Sequence, residues 1–132
     1  MAAKPPANPV TPEDAAVFGD CVKRWQHTLG MHDWRIAVAA KRSPRKVMAE
    51  VVKFDLEQRS ASIRLGKDWS GEAVTPDALN ATALHEVLHI FLHELIETSK
   101  VPNQPDDAIG SVEHRVINIL EQLLPLIQGG KG

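Results

Sequence analysis

From Thr11 onward the apolar positions are spaced three and four apart in some stretches and two apart in others, and each change of spacing marks a new element. Val17, Phe18, Cys21, Val22, Trp25 and Leu29 recur at helical spacing, so a first helix is expected to run to about Leu29 and stop at Gly30. Its start is written in Thr11-Pro12-Glu13-Asp14: a capping hydroxyl, a proline where no N–H is needed, and acids beside the positive end of the helix dipole. Trp34 to Ala39, Met48 to Phe54 and Ser60 to Leu65 alternate as strands with turn signals between them, which suggests an antiparallel meander. Thr75-Pro76-Asp77 repeats the capping pattern and opens a second helix through about Glu97. Pro102 to Asp107 reads as a loop, and a third helix follows from about Ile109 to Ile127. The order α-β-β-β-α-α predicts a compact α+β domain with a small, mostly antiparallel three-stranded sheet.

A chain of 132 residues holds one core. Residues 12–128 are expected to form it, with 1–11 a flexible proline-rich lead-in and 129–132 a flexible tail. Cys21 is the only cysteine, which excludes an internal disulfide and a cysteine-rich zinc cluster, so any metal must be held by histidine and carboxylate. The lead-in lacks the apolar segment of a signal peptide, and no apolar run approaches the roughly 20 residues of a membrane span. Cytoplasmic residence without a membrane partner is the resulting expectation. The net charge of -2 divides unevenly, with 12 Lys/Arg against 9 Asp/Glu in residues 1–75 and 3 against 8 in 76–132. The basic run from Lys41 to Lys46 could touch phosphates, but it reads first as a solvated turn between strands. With the whole chain mildly acidic and no aromatic stacking platform in view, nucleic acid is not the expected partner. Trp25, Trp34 and Trp69 read as packing residues. The pattern does not specify an oligomeric state.

Within the second helix lies His85-Glu86-Val87-Leu88-His89. Four residues advance a helix by about 400°, so the two imidazoles stand one turn apart on nearly the same face and can reach one tetrahedral ion. Glu86, about 100° round from His85, then lies beside the metal, placed to take a proton from bound water and pass it to a leaving amine. With His85 at 0°, Leu84, Leu88, Phe91, Leu92 and Leu95 fall between about 240° and 340°, an apolar stripe that has the two histidines at its border.

A catalytic zinc usually takes three protein ligands. On the third helix, Val116, Ile117, Ile119, Leu120, Leu123, Leu124 and Ile127 form a stripe centred near 330° when Glu113 is set at 0°, so Glu113 is expected to face inward as the third ligand. His93 is its main rival. Because three histidines along one straight helix cannot easily surround an ion, His93 reads better as a second layer around the metal or as facing substrate. His114 and Glu121 fall on the rim, and Glu94 and Glu97 read as solvated helix charges.

On the HExxH motif and this order of elements, the chain resembles compact zincins of the gluzincin kind, in which a second helix brings a glutamate ligand. It is similar in layout to the minigluzincins, and less closely to SprT-like and phage or prophage metallopeptidases. The resemblance implies one Zn²⁺ per chain held by His85, His89 and Glu113, with Glu86 as general base in the attack of zinc-bound water on a peptide bond. It also implies a peptide or protein substrate laid along a sheet edge, for which the strand holding Ser62, Ile63 and Arg64 is the candidate. Larger relatives add a tyrosine or histidine to stabilise the oxyanion. This chain has no tyrosine, leaving His93, His114 and Arg115 as the residues to consider. The alternative is a binding or regulatory module in which the metal is only a structural clamp; a nucleic-acid-associated protease is a third reading.

Overall fold

The computed structural model describes residues 8–100, 110, 111 and 113–119; the Pro102 to Asp107 loop, Glu121, the end of the third helix, the tail and most of the lead-in lie outside them. The first helix, α1, spans Pro12–Thr28. Its cap forms as the residue types require, with the Thr11 hydroxyl accepting from the Asp14 N–H at 3.1 Å and the Asp14 carboxylate accepting from the Thr11 N–H at 3.0 Å. Past Leu29 the chain turns through Gly30 at φ 68°, a left-handed position that glycine takes without strain. Three strands follow, β1 (Arg35–Val38), β2 (Ala49–Asp55) and β3 (Ser60–Leu65), then α2 (Pro76–Lys100) and helical residues 110, 111 and 113–119, here α3. The domain is α+β, as the order of elements predicts.

The sheet is mixed rather than a meander. Its order is β1-β3-β2, with β1 parallel and β2 antiparallel to β3. Leaving β1, the chain continues beside β3 as far as Ser43, whose N–H donates to the Leu65 carbonyl and whose own carbonyl accepts from the Lys67 N–H. It then crosses the end of β3 and returns on the other side, where the Met48 carbonyl accepts from the Gly66 N–H at 2.8 Å. A Cβ on Gly66 would stand 2.0 Å from the Val47 carbonyl oxygen, so this crossing requires glycine. The Lys41 to Lys46 segment is therefore a crossover pinned by a buried Ser43, and not a freely solvated hairpin turn. Both sides of β3 are paired, which removes Ser62, Ile63 and Arg64 as a substrate edge; the free edges belong to β1 and β2.

Ala61, Ile63 and Leu65 of β3 alternate into the core, where they meet Phe18, Cys21 and Val22 of α1 and Leu79, Ala83, Val87, Ile90 and Phe91 of α2. Trp34 and Trp69 are buried there too, and the Trp25 indole on α1 donates to the Asn80 side chain on α2 at 2.9 Å. The buried apolar residues of α2 lie between about 120° and 240° from His85, a face turned roughly 110° from the stripe that the leucines suggested. Leu84, Leu88 and Leu95 are only half-buried and Leu92 is exposed.

Glu94 lies at the centre of that buried face, 2% exposed, where the sequence pattern put a solvated charge. Its carboxylate accepts from Arg59 at 2.6 Å, from Arg115 at 3.0 Å and from the Trp34 indole at 3.3 Å. This one group ties α2 to the β2–β3 turn, to the segment before β1 and to α3. Arg59 holds a left-handed backbone, φ 50°, in that turn, a conformation costing on the order of 1 kcal/mol that its pairing with Glu94 and Asp33 offsets. Among the described residues no helix is long and apolar enough to cross a membrane.

Because Glu94 is buried and its arginines remain partly exposed, Glu94→Gln is expected to destabilise the fold by about 2 kcal/mol in urea unfolding. Glu97→Gln, on the solvent side, should change it by no more than about 0.5 kcal/mol.

Candidate metal centre

The HExxH segment sits in the middle of α2, far from either frayed end, so its side chains are held by an unbroken helix. His85 and His89 are exposed while Glu86, between them in sequence, is 5% exposed. The Nε2 atoms of the two imidazoles converge to 3.0 Å. Two ligands at about 2.0–2.1 Å from one tetrahedral ion stand about 3.3 Å apart, so the pair needs only a slight opening to share a zinc. A carboxylate oxygen of Glu86 completes a group whose ligand atoms all lie within 4.8 Å of one another. These three residues could hold a metal ion, and their donor set of imidazole and carboxylate suits zinc without selecting it over other first-row ions.

The group opens onto a cavity of about 510 Å³ between α2 and the edge strand β2. The helix contributes His85, Glu86, His89, Ile90 and His93; the strand contributes Ala49, Glu50, Val51 and Phe54. β2 runs alongside α2 so that Glu50 faces the first turn of the motif and Phe54 meets His93, ring edge to ring face at 4.3 Å. His93 also reaches Glu97 at 3.4 Å, and it lines the cavity, in keeping with a substrate-facing place.

The remaining expected site residues lie elsewhere. Glu113 is exposed on α3 and outside the metal-capable group; the side of α3 that faces the core carries Ile119 and Val116, so Glu113 does not point inward as its helix phase suggested. His114 and Arg115 line a separate cavity with Leu29, Gly30 and Ile119, and the Arg115 guanidinium is engaged by Glu94 and Asp33. Glu50 and Phe54, which the structure brings to the site, carry no motif. A single carboxylate in a strand pattern reads as an outward residue until the strand's neighbour is known.

Burial raises the pKa of Glu86, and the nearby charge of Glu50 raises it further, while His85 opposes both. A carboxyl whose folded-state pKa lies above its unfolded value binds more protons when folded, so its contribution to stability is present below the ordinary value of 4.5 and is lost as pH rises through the folded value. In metal-free protein Glu86→Gln should therefore raise the melting temperature at neutral pH, with the gain shrinking toward pH 4. Thermal melts of chelator-treated wild type and variant across that range give the check; a gain that does not depend on pH would mean the carboxylate is not strained by burial. Comparisons with protein-family models, with curated proteins and with solved structures find no match, so the functional reading rests on these residues.

Proposed function

We propose that this chain is a zinc-dependent peptidase of the gluzincin kind, with His85 and His89 as metal ligands and Glu86 as general base. The observation that supports it most is the pairing of two exposed, convergent imidazoles with a buried carboxylate, on the wall of a cavity whose opposite wall is the outer strand β2. Zinc held there supplies a Lewis acid for the scissile carbonyl and for the attacking water. Glu86, with its proton affinity raised, takes a proton from that water and delivers it to the leaving amine. The edge of β2, in place of β3, offers main-chain groups to an extended peptide, which fixes the scissile bond along the cavity without demanding a sequence. Glu113 is kept as the third protein ligand on the family resemblance alone; it stands outside the group that converges here and reaches the ion only if α3 moves toward α2. Among the described residues it makes no hydrogen bond or ion pair, whereas Glu50, Glu94 and Glu97 are each engaged.

A second reading has one observation in its favour: Glu86 is itself within ligand range, so it could close the site as a structural clamp. Zinc content and hydrolysis of a quenched fluorogenic peptide, measured on protein made without an affinity tag, separate the two. Wild type should carry about one zinc, and His89→Ala should lose both metal and activity. Glu86→Gln should keep the metal while hydrolysis falls on the order of 10²–10⁴-fold; loss of zinc from this variant would favour the clamp. Glu113→Ala should lose most of its zinc, and full retention would remove Glu113 from the site.

A further inference from the structure

We propose that Glu50 selects substrates carrying a positive charge, an ammonium or guanidinium group bound at the β2 side of the cavity. The inference rests on the peptidase reading and names the substrate class of that same site. Among the described residues the cavity is lined by two carboxylates, Glu50 and Glu86, and by no lysine or arginine. Of the two, Glu86 is committed to the chemistry, so Glu50 supplies the charge available for recognition.

The surroundings of Glu50 are built for that task. Its Oε2 accepts from the hydroxyl of Ser43, which is wholly buried in the crossover, so one oxygen is fixed and the carboxylate plane is set in advance. Among the described residues the other oxygen, Oε1, meets the guanidinium of Arg45 alone, at 3.3 Å. Arg45 is 73% exposed, and a single long contact on an exposed side chain is worth little. Arg64, across from Glu50 on β3, forms no ion pair with it among the described residues. Arg45 thus shows the kind of group this oxygen takes, held loosely enough for a substrate cation to displace it. The charge of Glu50 also bears on Glu86, which places the two carboxylates within electrostatic reach.

The test uses zinc-loaded Glu86→Gln protein, so that bound peptides are not turned over, and calorimetric binding of short N-acetylated alanine-glycine peptides. Each carries one lysine at successive positions, with norleucine as the uncharged counterpart; an unacetylated peptide without lysine tests the terminal amine as the source of the cation. Lysine at one position, or the free amine, is expected to bind about tenfold tighter than its neutral counterpart, the scale of one charge-assisted contact. Adding Glu50→Gln should bring that ratio to near one, and adding Arg45→Ala instead should raise it severalfold by removing the competitor. Equal binding of charged and neutral peptides, a preference that survives Glu50→Gln, or loss of zinc from Glu50→Gln would each overturn the inference. If zinc is held and no cation is preferred, the peptidase reading stands without it. If wild type takes up no zinc, the peptidase reading falls and this inference with it.

Discussion

At Gly66 the backbone of the crossover passes so close to the end of β3 that any Cβ there would stand 2.0 Å from the Val47 carbonyl oxygen. Backbone cannot yield at that distance, so the crossing exists only because this residue has no side chain. Much follows from it. The crossing carries the chain from one side of β3 to the other, which makes β3 central, makes β2 an edge and lays that edge along α2. The same crossing buries Ser43, and through Ser43 it orients Glu50. A cavity with a histidine-bearing helix on one wall and a free strand on the other is thus a consequence of one tight backbone contact 19 residues before the motif begins.

Two glutamates on α2 are buried, and their fates differ. Glu94 is compensated by Arg59, Arg115 and the Trp34 indole, so its charge is solvated by the protein and serves to fasten four segments together. Glu86 is buried with no arginine or lysine among the described residues of the cavity to offset it, and its proton affinity rises accordingly. A fold that pairs one carboxylate with two arginines and leaves another, eight residues away, with only the opposing influence of His85 keeps the second in a state that a proton can relieve. That difference is a physical reason to treat the two glutamates separately, independent of any motif.

What was legible in the sequence was local. Capping at Thr11, the stop at Gly30, the alternation of β3 and the helical spacing of His85 and His89 each depend on residues within a few positions of one another, and all appear as expected. Strand order was not legible, because it turns on whether the Lys41 to Lys46 segment doubles back or crosses over, and only Gly66, some twenty residues further on, decides that. The buried face of α2 was misplaced for a different reason. Its leucines 84, 88, 92 and 95 form one arc, while Leu79, Ala83, Val87, Ile90 and Phe91 form another, and a helix apolar on both arcs does not declare which one meets the sheet. Glu94 reads as solvated in the sequence because it lies within the second arc, and the guanidinium groups that make its burial tolerable come from Arg59 and Arg115, remote in sequence.

The turn of α2 also accounts for the contrast inside the motif. Consecutive helical residues are separated by about 100°, so where the boundary between core and solvent runs along the helix, one residue can lie on the wet side and the next on the dry side. Had the leucine arc been the buried one, as the pattern suggested, His85 and His89 would border the core and Glu86 would face away from it. With the other arc buried, the boundary falls between His85 and Glu86: the imidazoles stay accessible to an incoming ion, and the carboxylate enters a region of low polarity where its basicity rises. An HExxH sequence fixes the spacing of its three groups, but only the rotation of the helix about its axis sets their environments. In this chain that rotation is held by Val87, Ile90 and Phe91 in the core and by Glu94 on its two arginines, so the packing that stabilises α2 is also what buries Glu86 and raises its proton affinity.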